Sequence, residues 1–198
     1  MEPSVTLCEN ILEQYPKEIE LKSGFRCELL PLRHRDEKAF RALLEAVPDH
    51  ERMFIKCPIR NPEVVHSWCR HIDYGHILPL LAHADRRVIG QAALHQQLGG
   101  WKRHIGRVCV LVHPKYRGRG LARAMVLEIV EIARQLGLEK LEAEFIAEQE
   151  HAMRVFGMIG FMPLVQLPDY VKDMQAVSHD YIVMGLDLVT DEEYAGVG

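Results

Sequence analysis

A chain of 198 residues, 48% hydrophobic and 26% charged, is long enough to bury a sizeable core and sits at the upper end of single-domain sizes. Its net charge of −4 excludes a general attraction to nucleic acid or to an anionic membrane, and no apolar run approaches the roughly 20 residues that span a bilayer. Five cysteines without a CxxC pair, and no basic start leading into an apolar stretch, point to a reducing, cytoplasmic setting with no secretory signal.

In chain order, residues 6–15 read as a short helix ended by Pro16, and KEIEL, KSG and FRCELLPL as a hairpin turning at Gly24. DEKAFRALLEAV is a helix with Asp36 as N-cap, Phe40, Leu43, Leu44 and Val47 on one face, and Pro48 as its stop. A second helix follows Pro62, with Val64, Val65, Trp68 and Ile72 as its apolar stripe. HILPLLAH, RVIGQAALHQQL and HIGRVCVLVH are three strands joined by the turns ADR and GGWKR, short enough for an antiparallel meander. From Gly120 the period becomes helical. Ala122, Met125, Val126, Ile129, Val130, Ala133 and Leu136 line one face, Arg123, Glu128, Glu131 and Arg134 the other, and Gly137 ends it. KLEAEFI is the returning parallel strand, EQEHAMRVFGMI a helix stopped at Gly160, and FMPLV and DYIVMGLDL two closing strands with PDYVKDMQAVSHD as a loop at their junction. The whole reads as one domain over 1–198, with 1–24 as an N-terminal extension and 189–198 as a loose tail.

Between the third meander strand and the long helix lies HPKYRGRGLARAM, which sets Gly118 and Gly120 among Arg117, Arg119 and Arg123. The first amides of a helix lack intrahelical acceptors and carry the positive end of the macrodipole, so a phosphate can be held there by main chain. Glycine allows close approach, and guanidinium groups match phosphate oxygens. A P-loop is excluded, because no glycine is followed at the required distance by Gly-Lys-Ser/Thr. A dinucleotide fingerprint needs a small residue where Arg123 stands, although Glu142 lies at a distance suited to a ribose contact. A nicotinamide-binding enzyme is therefore a minor alternative.

The triad Arg117, Gly120 and Ala122 fits the pattern Arg/Gln-x-x-Gly-x-Gly/Ala, within VCVLVHPKYRGRGLARAMVLEIVEIARQLGL and followed later by AMRVFGMIGF. In these features, and over about residues 25–188, the chain resembles the GNAT superfamily of acyl-CoA-dependent N-acyltransferases. The resemblance implies an α/β (α+β) fold: a mixed, mostly antiparallel sheet with a parallel, splayed pair at its centre, flanked by helices. It implies that the strand before the loop bulges and splays, that backbone near Val110 and Val112 holds the pantetheine arm and the acetyl carbonyl, and that amides from Arg117 through Gly118, Arg119, Gly120, Leu121 and Ala122 hold the pyrophosphate of acetyl-CoA. The acceptor amine would enter from the opposite side, over the N-terminal helices and the PDYVKDMQAVSHD loop.

Acylation of an amine needs a neutral nitrogen, a polarised carbonyl and a proton for the departing thiolate. Glu142 and Glu144 share one face of their strand, opposite Leu141, Ala143 and Phe145. Glu144 stands where ribosomal-protein alanine N-acetyltransferases carry a glutamate serving as general base; both carboxylates are otherwise ordinary solvated strand residues. Where the resembling enzymes place a cofactor-contacting asparagine and, seven residues on, a thiolate-protonating tyrosine, this chain has Gln149 and Phe156. Gln149 can still hydrogen-bond, whereas Phe156 has no proton to give. Either Tyr170, preferred over Tyr181, supplies it, or the thiolate leaves unaided.

His66, Cys69 and His71 lack HExxH or paired CxxC spacing, so no metal is expected. Cys109, alternating with valines, reads as a buried strand residue rather than a nucleophile, and Trp68 and Trp101 as core or rim. The expected activity is transfer of an acetyl group from acetyl-CoA to a primary amine on a small molecule, an amino acid or a protein, directly in a ternary complex, by a chain that is monomeric or homodimeric. A non-catalytic coenzyme A-binding sensor is the alternative from a different class.

Overall fold

The computed structural model describes residues 3–21, 24–52 and 61–188. Helix α1 (Pro3–Leu12) leads into the antiparallel hairpin of β1 (Lys17–Glu20) and β2 (Arg26–Pro31). A 3-10 turn, His34–Asp36, precedes α2 (Glu37–Glu45). Asp36 is the N-cap residue, but its carboxylate accepts from the Arg33 amide at 2.8 Å and so closes the preceding turn instead of capping the helix. After α3 (Asp49–Arg52) comes α4 (Pro62–Arg70), whose N-cap Asn61 accepts from the Glu63 amide at 3.0 Å, with proline at the first helical position where no amide is needed.

The meander is β3 (Ile77–Ala84), β4 (Arg87–His95) and β5 (Ile105–Val112), and both residues at its first turn, Asp85 and Arg86, have left-handed φ of 48° and 62°, as primed two-residue hairpins require. Then follow α5 (Leu121–Gln135), β6 (Lys140–Ile146), α6 (Glu150–Gly157), β7 (Met162–Lys172) and β8 (Ser178–Asp187). The eight strands form one sheet in the order β1-β2-β3-β4-β5-β6-β8-β7, with β5–β6 its parallel pair.

Helices cover both faces. On one, α1, α5 and α6 bury a core in which α5 contributes Leu121, Met125, Val126, Ile129, Val130, Ile132 and Ala133, each large side chain stabilising by about 1.5–3 kcal/mol. On the other, α2 and α4 set Phe40, Leu43, Leu44, Val65 and Cys69 against Leu81, Val88 and the flank of Leu111. Among the described residues, this second layer reaches no further than Leu111 of β5 and does not pack on β6 or β8. Residues 3–20 belong to the same body: Ile11 and Tyr15 lie in the first core, and β1 completes the sheet edge.

Three details differ from the expectation. The segment 168–180 is mostly strand: β7 runs on to Lys172 and β8 starts at Ser178, so the expected long loop shrinks to 173–177. Glu128 does not point freely to solvent, because the Tyr15 hydroxyl donates to it at 2.7 Å and Lys17 pairs with it at 2.7 Å, fastening α5 to the start of β1. β5 splays without bulging, since its register with β4 runs unbroken from His95 opposite Arg107 to Gly90 opposite Val112. The tail 189–198 lies outside the described residues.

Candidate active site

Strands β5 and β6 are paired only at Ile105–Lys140, Gly106–Leu141 and Arg107–Glu142. Beyond Arg107, β5 stays with β4 up to Val112, while β6 follows β8 through Ile146 opposite Tyr181. Two strands held at one end and drawn apart by different neighbours open a wedge, with Val110 and Val112 along one side. At Gly106 the wedge is pinched shut: a methyl group there would lie 2.8–2.9 Å from Leu94, Leu138 and Leu141.

The glycine loop sits at the open end of β5. Gly118 and Gly120 have φ of +74° and +85°, which glycine adopts without strain, and a Cβ on either would meet nothing within 4 Å. Gly120 is the N-cap of α5, so the first amides of Leu121 and Ala122 face that space. Bare backbone, a helix start and open room fit a pyrophosphate. The loop is held from behind. The Arg117 guanidinium forks onto Glu51 through two contacts of 2.7 Å and donates to the Val112 carbonyl at 3.1 Å, so its charge fastens the loop to β5 and α3. Arg119 lies over the rings of Phe25 and Tyr116, at 5.0 and 5.3 Å.

On the side of the sheet opposite α5, a cleft of about 240 Å³ is lined by His95, Gln97, Lys102, Arg107, Glu142 and Glu144 together with backbone near Gly106. Strand alternation places these side chains together: Glu142 and Glu144 point away from the α5 core, and His95 is the cross-strand neighbour of Arg107. Glu144, 17% exposed, faces Arg107 at 3.4 Å, and Glu142 faces Lys102 at 3.5 Å. Of these, only the two glutamates were legible as candidates. The sequence signal for Arg107 is a cation at an outward position of an apolar strand; His95 and Lys102 needed the β4–β5 register.

Cys109 is a correction. It lies on the exposed face, its thiol 3.6 Å from His95 Nε2, because the alternation that buries Val108 and Val112 turns residue 109 outward. Phe156 is 2% exposed, edge-on to Phe145 at 5.0 Å and to Phe161 at 4.9 Å, a core residue behind the wedge. Gln149, at the start of α6, accepts the Ile146 amide with Oε1 at 3.1 Å, tying off the end of β6 and leaving its NH₂ as a donor. Tyr170 is on the edge strand and 66% exposed, its ring 5.8 Å from that of Tyr181. Tyr181 is the inner of the two, on the face and strand that adjoin Glu144; burial raises its pKa, countered in part by Arg107, so it is a protonated donor at neutral pH.

The tip of the β7–β8 hairpin is pinned beside Gln149. His179 lies between Glu148 at 2.7 Å and Asp173 at 3.3 Å, and the hydrogen bond to Glu148 raises its pKa above the ordinary imidazole value. His66, Cys69 and His71 do not converge: His66 Nδ1 lies 2.8 Å from Glu37, Cys69 is in the core and His71 contacts the Ser67 carbonyl. Among the described residues no three His, Cys, Asp or Glu side chains gather as a metal site, and no helix is long and apolar enough to cross a membrane.

Residues 39–161 match the acetyltransferase (GNAT) family. An acetyltransferase of Yersinia pestis (strain Pestoides F) is 29% identical over 126 residues, covering 63% of this chain and 75% of that protein. In fold, the chain is similar to the GNAT domain of PAT from S. lividans, with a TM-score of 0.72 at 19% identity over 86% of this chain and 96% of that one. It is likewise similar to yncA from Salmonella typhimurium, solved with its cofactor acetyl-CoA, with a TM-score of 0.71 at 18% identity over 83% and 95% of the two chains. The family match covers the meander, the glycine loop, the long helix and the parallel return in one stretch, which sets aside the nicotinamide reading. The chain belongs to the acetyltransferase (GNAT) family and is an acyltransferase with acetyl-CoA as its acyl donor.

Proposed function

We propose that the chain transfers the acetyl group of acetyl-CoA directly to a primary amine seated in the Glu142–Glu144 cleft, within a ternary complex. The observation that carries this reading is the opening of β5 from β6 after three paired residues, with the glycine loop at its wide end and the cleft over its paired end, on the face opposite α5. Amides from Arg117 to Ala122 hold the pyrophosphate, with Gly118 and Gly120 giving room and Arg119 adding charge at the rim. Backbone of Val110 and Val112 holds the arm and the acetyl carbonyl, Gln149 donates its NH₂, and Phe156 backs the wall. Bound acetyl-CoA supplies an acetyl group activated as a thioester.

Glu144, directly or through one water, takes the proton that the ammonium must lose before nitrogen can attack. As the new C–N bond forms and the C–S bond breaks, the nitrogen gives up its second proton to water, while Tyr181 protonates the departing sulfur and regains its own proton from solvent, with Tyr170 supporting it from the edge. The thiols of Cys8, Cys27, Cys69 and Cys109 suit a reducing cytoplasm.

Initial rates measured while both acetyl-CoA and acceptor are varied test this order of events. Intersecting double-reciprocal lines are expected. Parallel lines, with one acetyl group found on Cys109 by mass spectrometry in the absence of acceptor, would replace direct transfer with a two-stage route.

A further inference from the structure

We propose that the cleft is built for an acceptor that carries a carboxylate beside its amine, a free α-amino acid or a close analogue; the inference rests on the acetyl transfer argued above. Among the described residues, its charged lining is two cations and two carboxylates, set in layers. The carboxylates lie deeper, with the side chains of Glu142 and Glu144 23% and 17% exposed, while Lys102 and Arg107 stand at the rim, 51% and 45% exposed. An entering molecule meets cations first and anions beneath them.

The rim cations are only loosely engaged with these carboxylates. Each approaches its partner through a single contact of 3.4–3.5 Å, whereas the Arg117–Glu51 fork closes with two of 2.7 Å. A guanidinium has five N–H donors and an ammonium three, so both keep capacity for a second acceptor. A polyamine would bring further positive charge against Lys102 and Arg107. A zwitterion places its ammonium toward Glu144 and its carboxylate between the two cations, and both ends gain charge-assisted hydrogen bonds. The volume of about 240 Å³ falls below the ~300–1,000 Å³ that drug-sized ligands fill, which suits a single amino acid.

The test compares each amino acid with its amide and with the amine left after its carboxylate is removed, using kcat/KM for acetylation and, in parallel, calorimetric binding to the protein saturated with coenzyme A. The free acid is expected to exceed both analogues by about 10–100-fold, the range for losing a hydrogen bond to a charged group. In Arg107→Gln the ratio of acid to amide should fall toward one, and in Arg107→Lys it should recover in part; taking the ratio cancels whatever either substitution does to Glu144. Amides or plain amines used as well as the acids would overturn the inference while leaving acetyl transfer intact. If no acceptor is acetylated, the transfer reading fails and binding decides: acids held at least tenfold tighter than amides uphold the inference, and equal or absent binding overturns it.

Discussion

Glu144 has its carboxylate on the cleft face of a strand whose other face is sealed by Leu141, Ala143 and Phe145, so it can be changed without disturbing the core. Glu144→Gln keeps the shape and removes the proton acceptor; kcat/KM should drop about 10²–10⁴-fold at neutral pH, less at high pH where more amine is already neutral. A pH–rate profile superimposable on that of the unaltered enzyme would remove Glu144 from the role. For the acid, Tyr181→Phe should slow the single-turnover step with acetyl-CoA affinity unchanged, and Tyr170→Phe should slow it less; equal wild-type rates for both would mean that the thiolate leaves unaided. At this scale the sequence was least informative. Glu142 and Glu144 could be paired by strand period alone, but their cations Lys102 and Arg107 come from another strand and its preceding loop. The exposure of Cys109 depended on which face of β5 meets α5.

Helices and strands were far easier to read, because α5 and the meander carry long, regular apolar periods that one buried face enforces. The structure departs from expectation where that signal fades. β7 is an edge strand exposed along most of its length, so Leu167 to Lys172 show no burial alternation and resemble a loop. The wedge depends on Gly106, where buried leucines surround the missing side chain. Gly106→Ala should destabilise the protein by about 1–3 kcal/mol through overpacking, seen as a lowered Tm; an unchanged Tm would mean that the strands part more readily there than their packing implies. The hairpin pin gives a pH-dependent expectation. His179 has its pKa raised, mainly by Glu148, so its contribution is complete below the unfolded imidazole value of about 6.5 and is lost as pH rises through the higher folded value. Glu148 is lowered, mainly by His179; for Asp173, burial is outweighed by amide donors from Val177 and Gln175 and by His179, so it too is lowered. Those contributions vanish as pH falls through the depressed carboxylate values, with Asp180 the further charge beside Glu148. The Tm difference between the unaltered protein and His179→Ala should therefore be greatest in weakly acidic solution and shrink on either side. A difference that does not vary with pH would show that packing alone holds the hairpin.

For the molecule as a whole, the glycine loop, long helix and parallel return were legible together, because anion binding by main chain needs a fixed order of strand, glycine and helix start. The acceptor side was not, since it is assembled from β4, β5, β6 and β8, which meet only in the folded sheet. Whether acetyl-CoA binds in the space before α5 is decided by calorimetric titration of acetyl-CoA into the protein and into Gly120→Val. Gly120 has φ of +85° and nothing within 4 Å of its Cβ position, so valine there costs about 1–2 kcal/mol of backbone strain and puts its side chain into the space the pyrophosphate needs. Saturable binding by the unaltered protein and none by the variant are expected, with unchanged circular dichroism. Equal affinity for acetyl-CoA in both would contradict that placement.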